Sequence, residues 1–349
     1  MRVFVAEYVC GGGLLATSVD AVPAGLRREG AAMLSALVAD ATEVSEVVVP
    51  VDPRLAPDLS RYRALSTIEI LPKRGLWPQW VRAAEGCDAA IIVAPESDGV
   101  LAQGVAMLRA GGVDCIAGSG DFLRVASDKV LTAKVLHAAG VSHPIFMAHG
   151  ERRQKLKLQK CDRFVVKPRD GCGTRQIARF DDLDAAIAAM MPSDILQQWR
   201  PGRAISVSFI ASGGNLRFLP AVSQLFHADT CEYAGGQGPL CDDDQRRATA
   251  IASRAVEAMP PTARGFIGMD LLLGERPSED CVIEINPRLT TSYVGLRKMT
   301  SCNLAAQILE RDTFPILCDV GVDEVHWTAQ GDVRVCTAGA EAAVETPPA

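Results

Sequence analysis

The sequence predicts a parallel α/β sheet in its first third followed by an α+β region, and three observations carry that prediction. Apolar strand-length runs alternate with helical repeats as far as residue 116. Beyond residue 160, short strands crowd together, as they do in antiparallel sheets. A chain of 349 residues, 48% hydrophobic and 22% charged, can fill two or three packed domains and is neither coiled coil nor disordered.

Val3 to Ala6 is an apolar strand that runs into the turn-rich Cys10-Gly11-Gly12-Gly13. Arg28 to Ala39 repeats Met33, Leu34, Leu37 and Val38 at helical spacing. Val47 to Val49 is a second strand closed by Pro50, and residues 50–78, rich in Pro and Arg, are the least regular part. Asp88 to Ala94 reads as a buried parallel strand ended by Pro95-Glu96. Leu101 to Ala110 is the next helix, stopped by Gly111-Gly112, and Val113 to Ile116 is another strand. Strands that are apolar on both faces imply a parallel sheet covered by helices. Ligands of such sheets sit outside the C-terminal strand ends, which places Glu7 and Glu96 near a site.

Ser127 is expected to cap a helix running to Ala139, with Gly140 as its stop. Residues 150–162 read as a surface turn or edge hairpin. Phe164 to Lys167 is a strand, then comes a Gly-rich loop at 171–174 and a helix from Asp181 to Met190. Ile195 to Trp199 and Ala204 to Ile210 are strands around a Pro201-Gly202 turn. Arg217 to Val222, Asp270 to Leu273 and Cys281 to Ile285 complete an antiparallel set. Gln224 to Leu240 reads as a long loop, either a surface excursion or a substrate lid. The tail from Ala338 reads as a frayed end.

Several classes of function are disfavoured. A formal charge of −6 argues against non-specific nucleic-acid binding. Eleven scattered cysteines without a CxxC pair read as reduced thiols. Glu7 and three glycines interrupt the opening apolar run before a signal-peptide core forms, and nothing approaches the roughly 20 apolar residues that span a bilayer. A soluble cytoplasmic chain is expected, with no membrane partner and, by base rate, a homodimer. The five histidines show no metal-ligand spacing, and GxxxxGK[ST] and GxSxG are absent.

Asp270, Glu284 and Asn286 are the best candidate site. On the return strand, Glu284 and Asn286 are two apart and share a face, while Ile283 and Ile285 point to the core. Two carboxylates and an amide oxygen suit Mg2+ held against phosphates, although an ordinary hairpin with a solvent face gives the same local pattern. Arg288 follows and could meet a phosphate. Lys167 precedes Pro168 and the loop Asp170-Gly171-Cys172-Gly173-Thr174, whose small residues leave backbone N–H groups for a phosphate; a plain turn reads the same way. Lys129 alone reads as a surface residue, and Cys172 as a small residue rather than a nucleophile. Glu232 and Tyr233 precede Gly235-Gly236 in the candidate lid.

Taken together, these pieces resemble the ATP-grasp superfamily of carboxylate-amine ligases. The matches are Ser127-Asp128-Lys129 before a helix ending in AAGV, FVVKP with its Gly-rich loop, ILQQW with PGR, and GMD followed by IEINPR, in order across residues 119–310. A finer resemblance, through FVAEYVCGGG, APESDG, YAGGQGP and INPRLTTSY, is to the tyramine-glutamate ligase group of methanofuran-type cofactor biosynthesis. The resemblance implies an ATP-grasp fold preceded by an N-terminal parallel-sheet α/β domain. The divisions expected are 1–118, an N-lobe at 119–200, a C-lobe with the metal site at 201–315, and a terminal strand or hairpin with a tail at 316–349.

The resemblance also implies roles. Lys129 and Lys167 would contact ATP, with Gly171, Cys172, Gly173 and Thr174 folding over its phosphates, and Gln197, Gln198 and Trp199 would lie against adenine. Asp270, Glu284 and Asn286 would hold Mg2+, with Mn2+ the alternative, and Arg288 would steady the phosphoryl group. Small-molecule carboxylate and amine substrates follow, with Glu7 and Glu96 as anchors for the amine and Glu232 and Tyr233 closing over it. Two departures stand out: Gln197 and Ala204 occupy positions where the family usually has carboxylates for the hinge and the ribose.

Overall fold

The structure is a computed structural model. It describes the chain apart from residues 152–153, 172–176, 228–231, 313–314, 320–321, 338–339 and 346–349, with 340–345 described through the backbone only.

The N-terminal strands β1 (Arg2–Glu7), β2 (Glu46–Val51), β3 (Leu65–Glu69), β4 (Ala89–Val93) and β5 (Asp114–Cys115) form a parallel sheet in the order β3-β2-β1-β4-β5. Alternation along β1 assigns its two faces. Val3 and Val5 pack on helix α1 (Ala24–Val44), whereas Phe4 and Ala6 face α2 (Leu76–Ala83) and α3 (Val100–Ala110). The irregular stretch at 50–78 hides the edge strand β3. Four of its five residues are exposed, so it carries no apolar pattern.

Helix α4 (Gly120–Ala126) and helix α5 (Lys129–Ala138) lead out of this sheet. Ser127 closes α4 rather than capping α5. The cap is Asp128, whose carboxylate accepts the N–H groups of Val130 and Leu131 at 2.9 and 3.1 Å. An antiparallel sheet of β6 (Phe146–Ala148), β7 (Phe164–Pro168), β8 (Ala178–Phe180) and β9 (Asp194–Gln198) follows, in the order β6-β9-β7-β8. The basic stretch at 150–162 contains a short helix, α6 (Lys155–Leu158), in place of a turn or edge hairpin. Its Leu158 is fully buried with Met147, Phe164, Val166 and Leu183 of helix α7 (Leu183–Ala189).

The third sheet is antiparallel and nine-stranded. β10 (Arg203–Ser212), β11 (Asn215–Phe218), β12 (Val222–Phe226), β13 (Tyr233–Gly238), β14 (Gly265–Leu273), β15 (Cys281–Asn286), β16 (Glu324–Thr328), β17 (Val333–Thr337) and β18 (Ala340–Glu345) take the order β15-β14-β10-β12-β13-β16-β17-β18, with β11 paired to β10. Ile205, Val207, Phe209, Ile267, Met269 and Leu271 bury one face under helix α8 (Asp242–Ala258), which offers Ala248, Ile251, Ala252 and Ala255. The opposite face is polar where β14 and β15 meet.

Three readings are corrected here. Arg217 to Val222 is two strands, β11 and β12, interrupted at Leu219-Pro220-Ala221. Gln224 to Leu240 is largely the β12–β13 hairpin, because backbone pairing uses even its glycines. The tail is not frayed at 340–345, where β18 pairs with β17.

The first and third sheets share one core. Helices α9 (Ser292–Met299) and α10 (Leu304–Ile308) bury Leu296, Met299, Leu304 and Ile308 with Val3, Leu34, Leu37 and Val38. Within that seam, Asp40 accepts Tyr293 Oη at 2.6 Å and Arg297 Nε at 2.8 Å. Among the described residues no helix is long and apolar enough to cross a membrane.

Candidate active site

The polar face of the third sheet builds the site from strand register. Asp270 on β14 lies opposite Glu284 on β15, and Gly268 opposite Asn286, so the register adds Asp270 to the face that Glu284 and Asn286 share by their spacing. A bulge is inserted here, since Asp270 pairs with Glu284 but Leu271 pairs with Val282. Ile283 is the extra residue and sits half-buried outside the core, contrary to its expected place beside Ile285.

Amide donors aim the Asp270 carboxylate: Asn286 Nδ2 donates to Oδ2 at 3.1 Å and Gln224 Nε2 to Oδ1 at 2.9 Å. Glu284 Oε2 lies 3.4 Å from Lys129 Nζ and 3.5 Å from Lys167 Nζ. Burial would raise the Glu284 carboxyl, but the two ammoniums outweigh it and hold it below the usual range. Asp270 moves the other way, raised first by burial and then by the charge of Glu284. Burial also lowers Lys167, which is 6% exposed at the end of β7. Two neighbouring carboxylates and an amide, backed by two lysines, are the donor set that a hard divalent cation shared with phosphates requires. A cation there would relieve the repulsion that raises Asp270, so the residues fit Mg2+.

The remaining nucleotide-site candidates lie on the elements that precede this sheet. Lys129 opens α5, and its Nζ also donates to the Gly171 carbonyl at 2.6 Å. Asp170 beside it accepts the Asp98 N–H at 3.0 Å, so the candidate phosphate loop touches the loop that follows β4. Cys172, Gly173 and Thr174 lie outside the described residues. Gln197 is buried in β9, opposite Phe146 on β6 and Val165 on β7. Gln198 N–H donates to Ile145 O at 2.7 Å, and Trp199 N–H to Arg163 O at 2.9 Å. The Arg179 guanidinium stands 5.4 Å from the centre of the Trp199 ring.

An ion pair ties the chain after β15 to the N-terminal domain. Arg288 Nε donates to Glu96 Oε1 at 2.9 Å, a pair with side chains 12% and 6% exposed. The second oxygen, Glu96 Oε2, is buried with no hydrogen-bond partner among the described residues. Glu7 is used differently: its Oε2 accepts the Cys10 N–H at 2.8 Å and closes the turn after β1. Burial raises its carboxyl, and the nearby charge of Arg288 acts in the opposite direction.

Glu232 is half-buried where the chain enters β13, and its carbonyl accepts the His227 N–H at 2.9 Å. Tyr233 opens β13, with its ring edge-on to Phe226 at 6.2 Å. Its phenol accepts the Trp327 Nε1–H at 2.9 Å, and Thr291 is a second side-chain partner. Sequence reasoning missed Gln224 and Trp327. Strand parity could have found Gln224, but its segment reads as loop. Trp327 sits in strands that no motif ties to the site.

Comparison with known proteins agrees with this geometry. Residues 126–292 match a family model described as an ATP-grasp domain, and residues 45–121 match one described as a pre ATP-grasp 3 domain. The tyramine–L-glutamate ligase of Methanocaldococcus fervens is 24% identical over 277 residues, covering 78% of this chain and 84% of that protein. Among solved structures, a protein of Archaeoglobus fulgidus assigned to the ATP-grasp superfamily is 20% identical with a TM-score of 0.71, covering 99% of this chain and 98% of its own. An L-amino acid ligase from Bacillus licheniformis is 15% identical with a TM-score of 0.62, covering 89% of this chain and 74% of its own. At these identities the two structures speak for the fold alone.

Proposed function

Because this chain belongs to the ATP-grasp superfamily of carboxylate-amine ligases, we propose that it joins the γ-carboxylate of glutamate to the amine of tyramine or tyrosine. The setting would be methanofuran- or methylofuran-type one-carbon cofactor biosynthesis. The general reaction follows from membership. ATP phosphorylates a carboxylate, the amine attacks the acyl phosphate, and phosphate leaves with an amide formed and ADP released.

The observation that carries the reading is Glu284 held between Lys129 and Lys167 beside Asp270 and Asn286, with Arg288 paired to Glu96 just beyond the end of β15. The lysines offer point charges to phosphate oxygens. Asp270, Glu284 and Asn286 would hold Mg2+, with Mn2+ the alternative. When bound, the metal supplies charge neutralisation on the phosphates. Arg288 would steady the transferred group, and Gln197, Gln198 and Trp199 would lie against adenine, partly through backbone groups. The unpartnered oxygen of Glu96 supports a role in holding the ammonium before it loses its proton. Glu7 is the weaker anchor, since one of its oxygens serves Cys10. A dry cleft is required because water destroys an acyl phosphate.

The test incubates the protein with Mg-ATP, glutamate and a panel of amines, following phosphate, nucleotide and product mass. A γ-glutamyl amide formed fastest with a phenolic amine, with release of ADP, supports the reading. Preference for alanine, lysine or a glutamyl peptide by about 100-fold, a ratio that a few lost pocket contacts can produce, removes the substrate pair and keeps the ligase. Release of AMP removes both.

A further inference from the structure

The C-terminal strands bring a buried side chain to the sheet face that carries Asp270. Strand β16 pairs with β13 so that Trp327 lies opposite Gly236, which in turn lies opposite Gln224 on β12. Directly opposed residues share a sheet face, so Trp327 stands on the same face as the Gln224 side chain that reaches Asp270.

The indole is 3% exposed, and three glycines make room for it. A Cβ at Gly235, Gly236 or Gly295 would collide with Trp327 backbone or ring atoms, and Gly235 also has φ +142°, where side chains are strained. The Gly235-Gly236 pair therefore admits Trp327 within a sheet, instead of loosening a lid.

The indole N–H fixes the direction of the next hydrogen bond. It can only donate, and Tyr233 Oη accepts it at 2.9 Å, so the tyrosine's own proton must point away from β16. Thr291 is the other side-chain partner of the phenol, and the charges of Asp270 and Glu29 act on it. Burial above all pushes the phenol up to about 12, so like an ordinary phenol it carries its proton at neutral pH.

We propose that Trp327 is a positioning residue for ligation, holding Tyr233 so that its phenolic proton is presented to the carbonyl oxygen of the carboxyl group being activated. The proposal rests on the ligase reading above. Tyr233 makes and breaks no covalent bond. It keeps its proton and donates a hydrogen bond as negative charge grows on that oxygen during amine attack. The C-terminal strands thereby become part of the catalytic apparatus.

The experiment compares Trp327→Phe, Tyr233→Phe and the double variant in the full chain. Wild type is first screened over carboxylates with hydroxylamine, which traps an acyl phosphate as hydroxamate whatever the natural amine. The variants are then run on the carboxylate that wild type uses. Each single variant should lower kcat by about 10-fold or more, the size expected for a lost oxyanion donor, with KM for ATP within about 2-fold. The double variant should be no more than about 2-fold slower than the worse single, because both changes remove one interaction.

In NMR spectra, the indole N–H resonance lost in Trp327→Phe should move in Tyr233→Phe. If Trp327→Phe melts without cooperativity, benzothienylalanine at position 327 keeps the ring shape and removes only the donor. Wild-type kcat in the folded variant, or effects that multiply in the double variant, overturns the proposal while leaving the ligase standing. Absence of hydroxamate from every carboxylate in wild type overturns both.

Discussion

At residue scale, the site works by opposing charges in one small volume. Glu284 stays ionised because Lys129 and Lys167 lie 3.4 and 3.5 Å away, while Asp270 is kept in place by the Gln224 and Asn286 amides. Glu284→Gln and Asn286→Ala should each lower turnover by about 10-fold or more, because positioned charge accounts for most of phosphoryl-transfer catalysis. Rates across a Mg2+ titration, set beside thermal melts, measure this; near wild-type turnover at low Mg2+ in both variants would remove the metal assignment. Lys167→Ala should weaken binding of a non-hydrolysable ATP analogue by about 10-fold, as loss of one charge-assisted contact predicts. Titration calorimetry reads it, and unchanged affinity would count against a phosphate role for this lysine.

At the scale of elements, helix α1 approaches β1 closely enough to leave no space for a side chain at Gly30. A Cβ there would stand 2.7 Å from Glu7 Oε2 and 2.9 Å from its Cδ. Since Glu7 is committed to the Cys10 N–H, it cannot simply swing aside. Gly30→Ala should therefore destabilise the chain by about 1–3 kcal/mol despite alanine's better helix propensity, the usual cost of overpacking. Denaturant melts would show it, and a gain in stability would mean that the turn after β1 yields freely. The β12–β13 hairpin makes the same point about glycine: Gly235-Gly236 looks like a hinge in sequence and is the seat of Trp327 in the sheet.

At the scale of the whole molecule, the first and third sheets share one core, and the middle sheet has a core of its own. The joint includes a buried cluster in which Asp40 on α1 receives Tyr293 and Arg297 from α9, and Asn303 Nδ2 donates to the Asp40 carbonyl at 2.8 Å. Asp40→Ala leaves Arg297 buried without its carboxylate, which should lower stability by about 3–5 kcal/mol. Arg297→Met with Asp40→Leu, an apolar replacement of both, should recover most of that loss. A double variant as unstable as Asp40→Ala alone would show that the seam depends on the charges themselves.

By itself, the sequence determined the class of each sheet and the face-sharing of Glu284 and Asn286, because side-chain alternation along a strand is a local property. It also marked Lys167 and Arg288 as cations at strand ends, whereas Lys129 read alone as a surface residue and gained a role only from the family resemblance. Tertiary structure alone decided which partners those groups meet: Lys129 and Lys167 reach Glu284 from the start of α5 and the end of β7, and Arg288 meets Glu96 across 192 positions of chain. It also decided the edge strand β3, too exposed to carry an apolar pattern, and the C-terminal strands, whose order in the sheet follows backbone pairing that any residue type can make. Periodicity reports which way a side chain faces. Only the packing of distant segments fixes what it faces.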